Sequence, residues 1–371
     1  MLNRLRQMAN EPVSTRWVDS LVGFALVIWT FGQIVFIHSN ISLMDAVVDN
    51  GIGQFHQAIT VGCLVAALAC RGINFKPMGM VALFCALFAT LTVWRRANDP
   101  HLIVTLLLIV AAKDMDIATL ARRYVIGAIA GLLVVCLSVS LGFIKFSVFV
   151  GARTYDFAYA FRDASMLPCL LFSVLIGLFL GNEDAKMWRF LAAACVAVTL
   201  VELLLGVGFL AVLPLALACG LYVCEVRQDV WKRLMGEPVW RWTVALLPLG
   251  LFCVSHDWTK FFGLPAAGGA LGSAIGTYGY GACACFAVLY VRSVLLMDSS
   301  KRSYLMMLCL AFSAVMLLYM RPSLYLEFNC AYLMLVFGMA GSVPLMPGFV
   351  RQSAEQTDRR VRGCDDAEAR K

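Results

Sequence analysis

Apolar runs of span length, separated by short polar clusters, repeat along almost the whole chain. They fall near residues 18–37, 56–70, 78–94, 101–112, 124–144, 166–181, 189–205, 207–224, 241–255, 273–297, 303–320 and 328–346. A membrane-crossing helix takes about 20 apolar residues, whereas barrel strands show short segments of alternating polarity. These runs are continuous and therefore predict helices. The stretch from Phe190 to Cys224 holds one charge, Glu202, and is too long for one helix; Gly206-Val207-Gly208 splits it into a hairpin. The run after Pro100 is short, which suits a helix half-buried or tilted inside a bundle. The pattern predicts an all-α, polytopic integral membrane bundle of about twelve transmembrane helices with both termini cytoplasmic. Residues 1–347 form one transmembrane domain, and 348–371 form a polar cytoplasmic tail with the composition of a disordered segment.

Composition agrees with that solvent. The chain of 371 residues is 61% apolar and 14% charged, against about 45–50% and 25% in soluble domains, which excludes an ordinary water-soluble enzyme. The N-terminal arm is basic but lacks a small-residue cleavage site before or after the first run, so that run is read as a span and not a removable signal. Counting alternate loops puts most lysines and arginines on one side: the N-terminal arm, Arg71 with Lys76, Lys113 to Arg123, Lys186 with Arg189, Arg227 to Arg241, Arg292 to Arg302 and the tail from Arg351. Basic loops stay cytoplasmic, so the net charge of +7 reflects anchoring and no nucleic-acid partner is expected. Trp17, Trp94, Trp188, Trp242 and Trp258 stand at span ends, where interfacial belts form. The 14 cysteines are scattered through apolar runs and read as small hydrophobes. No Gly-rich phosphate loop, Cys-x-x-Cys pair or His-x-x-x-His helix is present, and no cofactor or metal is expected.

Candidate chemistry lies where the chain departs from the positive-inside pattern. Arg95, Arg96, Lys145, Arg153, Arg162, Lys260 and Arg321 fall on the outer side. Arginine's planar fork suits phosphate oxygens. In GFIKFSVFVGARTYDFAYAFRDAS, Arg153 and Arg162 bracket alternating Tyr155, Phe157, Tyr159 and Phe161. Aromatic faces beside arginine forks are the parts of a pocket for a sugar attached to a phosphate, with Arg153, Arg162 and Arg321 as candidate anion ligands and Tyr155 and Tyr159 against the sugar. The same residues also fit an interfacial loop resting on lipid headgroups, with Asp156 and Asp163 neutralising their neighbouring arginines. The histidines, His38, His56, His101 and His256, all map to outer span ends, as a general base or as interfacial polar groups. Glu202 is an acidic side chain within a span, a functional candidate that needs a partner.

Several of these residues follow one another in a familiar order. A short fourth span ends in Ala112-Lys113-Asp114-Met115-Asp116; Tyr124 opens a long span closing with Ser140-Leu141-Gly142-Phe143-Ile144; Arg153 follows, then Phe157; and Tyr325-Leu326-Glu327-Phe328-Asn329 opens the last span. Over roughly residues 100–345 the chain resembles the Wzy-like bacterial O-antigen and exopolysaccharide polymerases. It departs where many relatives carry Gly-Phe and then His-Pro-Asn; here the residues are Asp156-Phe157-Ala158-Tyr159-Ala160-Phe161. The family's large late outer loop is also reduced, to VSHDWTKFFGLPAAGG. The resemblance implies an enzyme of the bacterial cytoplasmic membrane that transfers a growing glycan from one undecaprenyl diphosphate carrier onto the terminal sugar of another. It implies a lipid-linked oligosaccharide substrate, membrane lipids, and a chain-length regulator or other polysaccharide assembly proteins as partners. Arg153 would hold the diphosphate, Arg321 and Arg162 would assist, and His256 or Glu202 would serve as base. A lipid-linked glycan flippase, or another lipid-carrier-dependent glycosyltransferase, is the alternative.

Overall fold

A computed structural model describes residues 15–39, 52–71, 101–112, 115–144, 148–150, 155–157, 160–161, 165–182, 187–204, 212–261, 286–297, 301–319 and 325–336. The chain is helical. In order come α1 (Thr15–Gly32), extended by one π-helical turn (Gln33–Ile37), α2 (Ile52–Arg71), α3 (His101–Ala111) and α4 (Ile117–Ser140). Next are α5 (Met166–Gly181), α6 (Met187–Leu204), α7 (Val212–Val226), α8 (Gln228–Gly236) and α9 (Pro238–Phe261), then α10 (Phe286–Leu296) and α11 (Lys301–Tyr319). Two 3-10 segments, Leu326–Phe328 and Cys330–Leu335, close the described chain. Between α4 and α5 lies a small antiparallel pair, β1 (Val148–Val150) and β2 (Tyr155–Phe157), with Phe149 opposite Asp156.

Helix ends follow local chemistry. The Asp116 carboxylate accepts the Thr119 backbone N–H at 3.2 Å and starts α4, while Gly142, at φ +77, turns the chain away after it. The long run from Phe190 to Cys224 is two helices, α6 and α7, as the glycine pair predicts. The sequence reading missed α8, a short helix with Trp231 and Met235 buried and Asp229, Lys232 and Arg233 exposed. It also expected an α-helix over 328–346; the described part of that stretch is 3-10. The predicted span near 78–94 lies outside the described residues.

Large apolar side chains face outward as well as inward on these helices. On α4 the inward face carries Ala118, Ala121, Tyr124, Gly127, Ala128 and Gly131, while Ile126, Ile129, Leu133 and Leu137 point outward, the last two 64% and 59% exposed. On α6, Cys195, Thr199 and Glu202 face inward and Val196, Leu200 and Leu203 outward. Small inward residues let backbones approach closely. A Cβ on Gly127 would stand 2.9 Å from the Val27 carbonyl oxygen, and one on Gly131 would stand 3.0 Å from Ile34 Cγ2. These contacts climb both helices in the same direction, so α1 and α4 are parallel. In sequence, α2 and α3 lie between them. Among the described residues, Trp17–Ile37 and Ile117–Ser140 are long and apolar enough to cross a membrane, and Phe55–Cys70, Met166–Gly181, Phe286–Leu296 and Ser303–Leu317 are shorter apolar helices.

The 3-10 segments sit at the centre. Leu326, Glu327, Phe328, Cys330, Ala331, Leu333 and Met334 are fully or almost fully buried, packed among α1, α3, α4, α5 and α11. Regular 3-10 structure of this length is uncommon because its hydrogen bonds are poorer than those of an α-helix, and tertiary contacts must hold it.

Candidate functional site

Glu327 is wholly buried and lies in the 3-10 turn before Asn329. One carboxylate oxygen, Oε1, is 2.9 Å from His38 Nε2 and 3.2 Å from His101 Nδ1; the other, Oε2, accepts the Trp29 indole N–H at 3.2 Å. These atoms converge from distant points of the chain: Trp29 on α1, His38 just after its π turn, His101 at the start of α3, and Glu327 near the end of the described chain. A third histidine, His56 on α2, meets Gln33 Nε2 at 3.2 Å and packs against the Trp29 ring. Tyr325 lies over the His101 ring at 4.4 Å and beside His38 at 5.4 Å, and Phe328 meets His38 edge-on at 4.9 Å.

The local folding explains the convergence. From Trp29 to His38, nine residues of regular α-helix would make about two and a half turns and set the two side chains on opposite sides. The π turn replaces part of that spacing with the His38 N–H to Gln33 carbonyl bond of 2.9 Å, so His38 stands above Gln33, itself one turn beyond Trp29. Gly32 leaves room for His56: a Cβ there would stand 2.5 Å from His56 Cδ2. Glu327 is fixed through its backbone. Tyr124 and Ser173 share one hydrogen-bond chain, in which the Cys330 N–H donates to Ser173 Oγ, the Ser173 hydroxyl to Tyr124, and the Tyr124 hydroxyl to the Glu327 carbonyl at 2.6 Å. This direction is the one that gives each hydroxyl a single proton to donate. Ser313 Oγ holds the neighbouring Asn329 Oδ1 at 2.7 Å.

The segment bearing the arginines is joined to this cluster. Phe161, buried after β2, pairs with Ser39 in an isolated antiparallel bridge, and Ser39 is the residue after His38. Ala160, just before it, holds a left-handed φ of +69. Phe161 directly precedes Arg162 in sequence.

Of the residues singled out from sequence, Arg153, Tyr159, Arg162 and Arg321 lie outside the described residues. Tyr155 belongs to β2 and His256 to α9, each described by its backbone. Glu202 is buried on α6, and neither carboxylate oxygen has a hydrogen-bond partner among the described residues. It is separate from the histidine cluster, since α6 packs on α5 and α7. Sequence reasoning placed the histidines at one side, as a general base or as interfacial polar groups, but singled out His256 as the base among them, gave Trp29 no role, and quoted Glu327 only for the resemblance. The available signal was the shared outer position of His38, His56 and His101, which the structure gathers at one end of the bundle. No protein-family model, curated protein or solved structure matches this chain.

Proposed function

We propose that the chain is a multi-pass protein of the bacterial cytoplasmic membrane that polymerises lipid-linked glycan repeat units on the outer face. The outward Leu and Ile faces of α4 and α6, over interiors of small and polar residues, support a lipid surround. Trp17 and Trp242, exposed near the starts of α1 and α9, suit an interfacial belt. The observation that carries the enzymatic reading is the Phe161–Ser39 bridge, which ties the Arg153–Arg162 segment to the buried histidine–glutamate cluster.

In this reading the acceptor sugar hydroxyl oxygen attacks the anomeric carbon of the donor. The bond from that carbon to the diphosphate oxygen breaks, and the lipid diphosphate departs. Diphosphate is a good leaving group, so the protein's tasks are to hold its developing charge and to take the hydroxyl proton. Arg153, with Arg162 and Arg321, performs the first; the His38–His101–Glu327 cluster performs the second, in place of the Glu202 or His256 expected from sequence. Tyr155 and Tyr159 rest against the sugars. Loss of one charge-stabilising donor costs about 10²–10³ in turnover, so Arg153→Ala should leave a polymerase-deficient strain with single repeat units. Full-length glycan from that variant would remove the role given to Arg153.

A flippase is the second reading, because the π turn, the central 3-10 segment and the buried Glu202, without a hydrogen-bond partner among the described residues, are the broken helices and buried acidic group that transport sites use. Accumulation of untranslocated, cytoplasm-facing units in the deletion strain would favour it; outward-facing single units would favour the polymerase.

A further inference from the structure

The geometry points to a binding site for one divalent transition-metal ion, zinc, held by His38 Nε2, His101 Nδ1 and Glu327 Oε1. The three donor atoms lie within 4.8 Å of one another, and Oε1 is 2.9 Å and 3.2 Å from the two nitrogens. Zinc binds imidazole nitrogen and carboxylate oxygen at about 2.0–2.2 Å, so the donors of a tetrahedral site stand roughly 3.3 Å apart. The side chains already stand within a few tenths of an ångström of that spacing along two edges. An ion takes the place of the proton between His38 and Glu327.

The donor set is also the right one chemically. Two histidines and one glutamate are a set that catalytic zinc uses, leaving a fourth position for water or substrate. The surroundings select the coordinating atom: Trp29 donates its N–H to Oε2, which leaves Oε1 turned to the imidazoles. Groups that orient a ligand in this way are typical of metal sites. Each ligand is fixed by its own element: His38 by the π turn and the Ser39–Phe161 bridge, His101 by the start of α3, and Glu327 by the Tyr124–Ser173 chain. The His38 and His101 side chains keep 7% and 11% of their surface exposed, while Glu327 has none.

The catalytic use of this ion rests on the polymerase reading and changes the cluster's part in it: with its three donors on the metal, the cluster no longer takes the proton itself, and the acceptor hydroxyl, bound at the fourth position and made more acidic by the metal, would lose its proton to water. Metal binding itself does not depend on that reading. The full-length chain, purified in detergent without a histidine tag and stripped with chelator, should take up about one equivalent of Zn²⁺. With Co²⁺ it should show the visible bands of a four-coordinate site, and X-ray absorption of the zinc form should show nitrogen and oxygen neighbours at about 2.0–2.1 Å with imidazole scattering. His101→Ala and Glu327→Gln should weaken binding by more than the 10–100-fold typical of an outer-shell change, and Trp29→Phe should fall within that range. Cys219→Ser, an exposed cysteine, should bind as the parent does. Failure of the unaltered chain to hold zinc, or sulfur neighbours in its absorption spectrum, overturns the site irrespective of how the variants fold. A folded Glu327→Gln that binds with parental affinity does the same. Zinc bound as expected, with glycan length unchanged in His101→Ala, upholds the metal site and sinks the catalytic role of the cluster.

Discussion

The Tyr124 hydroxyl proton links the last segment of the chain to the long helix α4, and the position of Glu327 depends on it. Tyr124→Phe removes one oxygen from a dry interior and leaves the Glu327 carbonyl and the Ser173 hydroxyl each short of a partner. An unsatisfied buried group costs about 1–3 kcal/mol, so this variant should melt earlier in detergent while keeping its helical content. Ser173→Ala acts on the same chain, so the double variant should lose clearly less than the two single losses added together. Fully additive losses in thermal melts would mean that the two hydroxyls work separately. None of this was legible from the sequence. A tyrosine on an apolar helix looks like an ordinary core residue, and its partners, Ser173 and Glu327, are remote in the chain. Glu202 shows the opposite case. Its charge within an apolar run was plain in the sequence, yet burial on α6 leaves it apart from the cluster.

Two departures from α-helical geometry deliver the ligands. The π turn re-aims His38, and the 3-10 turn presents Glu327, whose neighbours would be set at different angles in a continuous helix. A continuous apolar run located α1 well because a pattern sustained over a window of about 11–18 residues overrules local detail, but such a pattern has no signal for one extra residue per turn. The described start of the last run shows the same limit: it is apolar enough for an α-helix, and the tertiary contacts around Leu326–Leu335 choose the tighter winding there. The segment after β2 carries a strain that can be tested. Ala160 holds φ +69 next to the Phe161–Ser39 bridge, and a left-handed conformation disfavours any Cβ by about 1–2 kcal/mol. Ala160→Gly should therefore keep or slightly raise the melting temperature. Ala160→Val, β-branched at the same φ, should lower it, because such a residue in this region is a genuine outlier. In the polymerase reading it should also shorten the glycan. Equal melting temperatures for the two variants would show that the left-handed turn is not maintained in the protein.

At the scale of the whole molecule, what must be tested is the direction in which the cluster faces. Burying glycine and alanine while exposing leucine and isoleucine is unfavourable in water and natural in hydrocarbon, where close helix contact depends on small residues. The basic loops add a sidedness that the fold itself does not carry. Arg122, in the first turns of α4, donates to the Gly181 carbonyl, and Arg241, in the first turn of α9, to the Met297 carbonyl, so both are engaged at the C-termini of neighbouring helices, at the end that the basic clusters assign to the cytoplasm. His38, His56 and His101 mark the other end. Parallel packing of α1 and α4 then requires their C-termini, at His38 and Gly142, to emerge on the same face. A periplasm-active phosphatase reporter fused after Gly142 should be active, and one fused after Gly236, within the basic stretch following α7, should be silent; a fluorescent reporter that folds only in the cytoplasm should give the reverse. If the activities are exchanged, the cluster faces the cytoplasm. Carrier-linked repeat units are joined on the outer face, so that outcome would remove the polymerase reading while leaving the zinc site untouched.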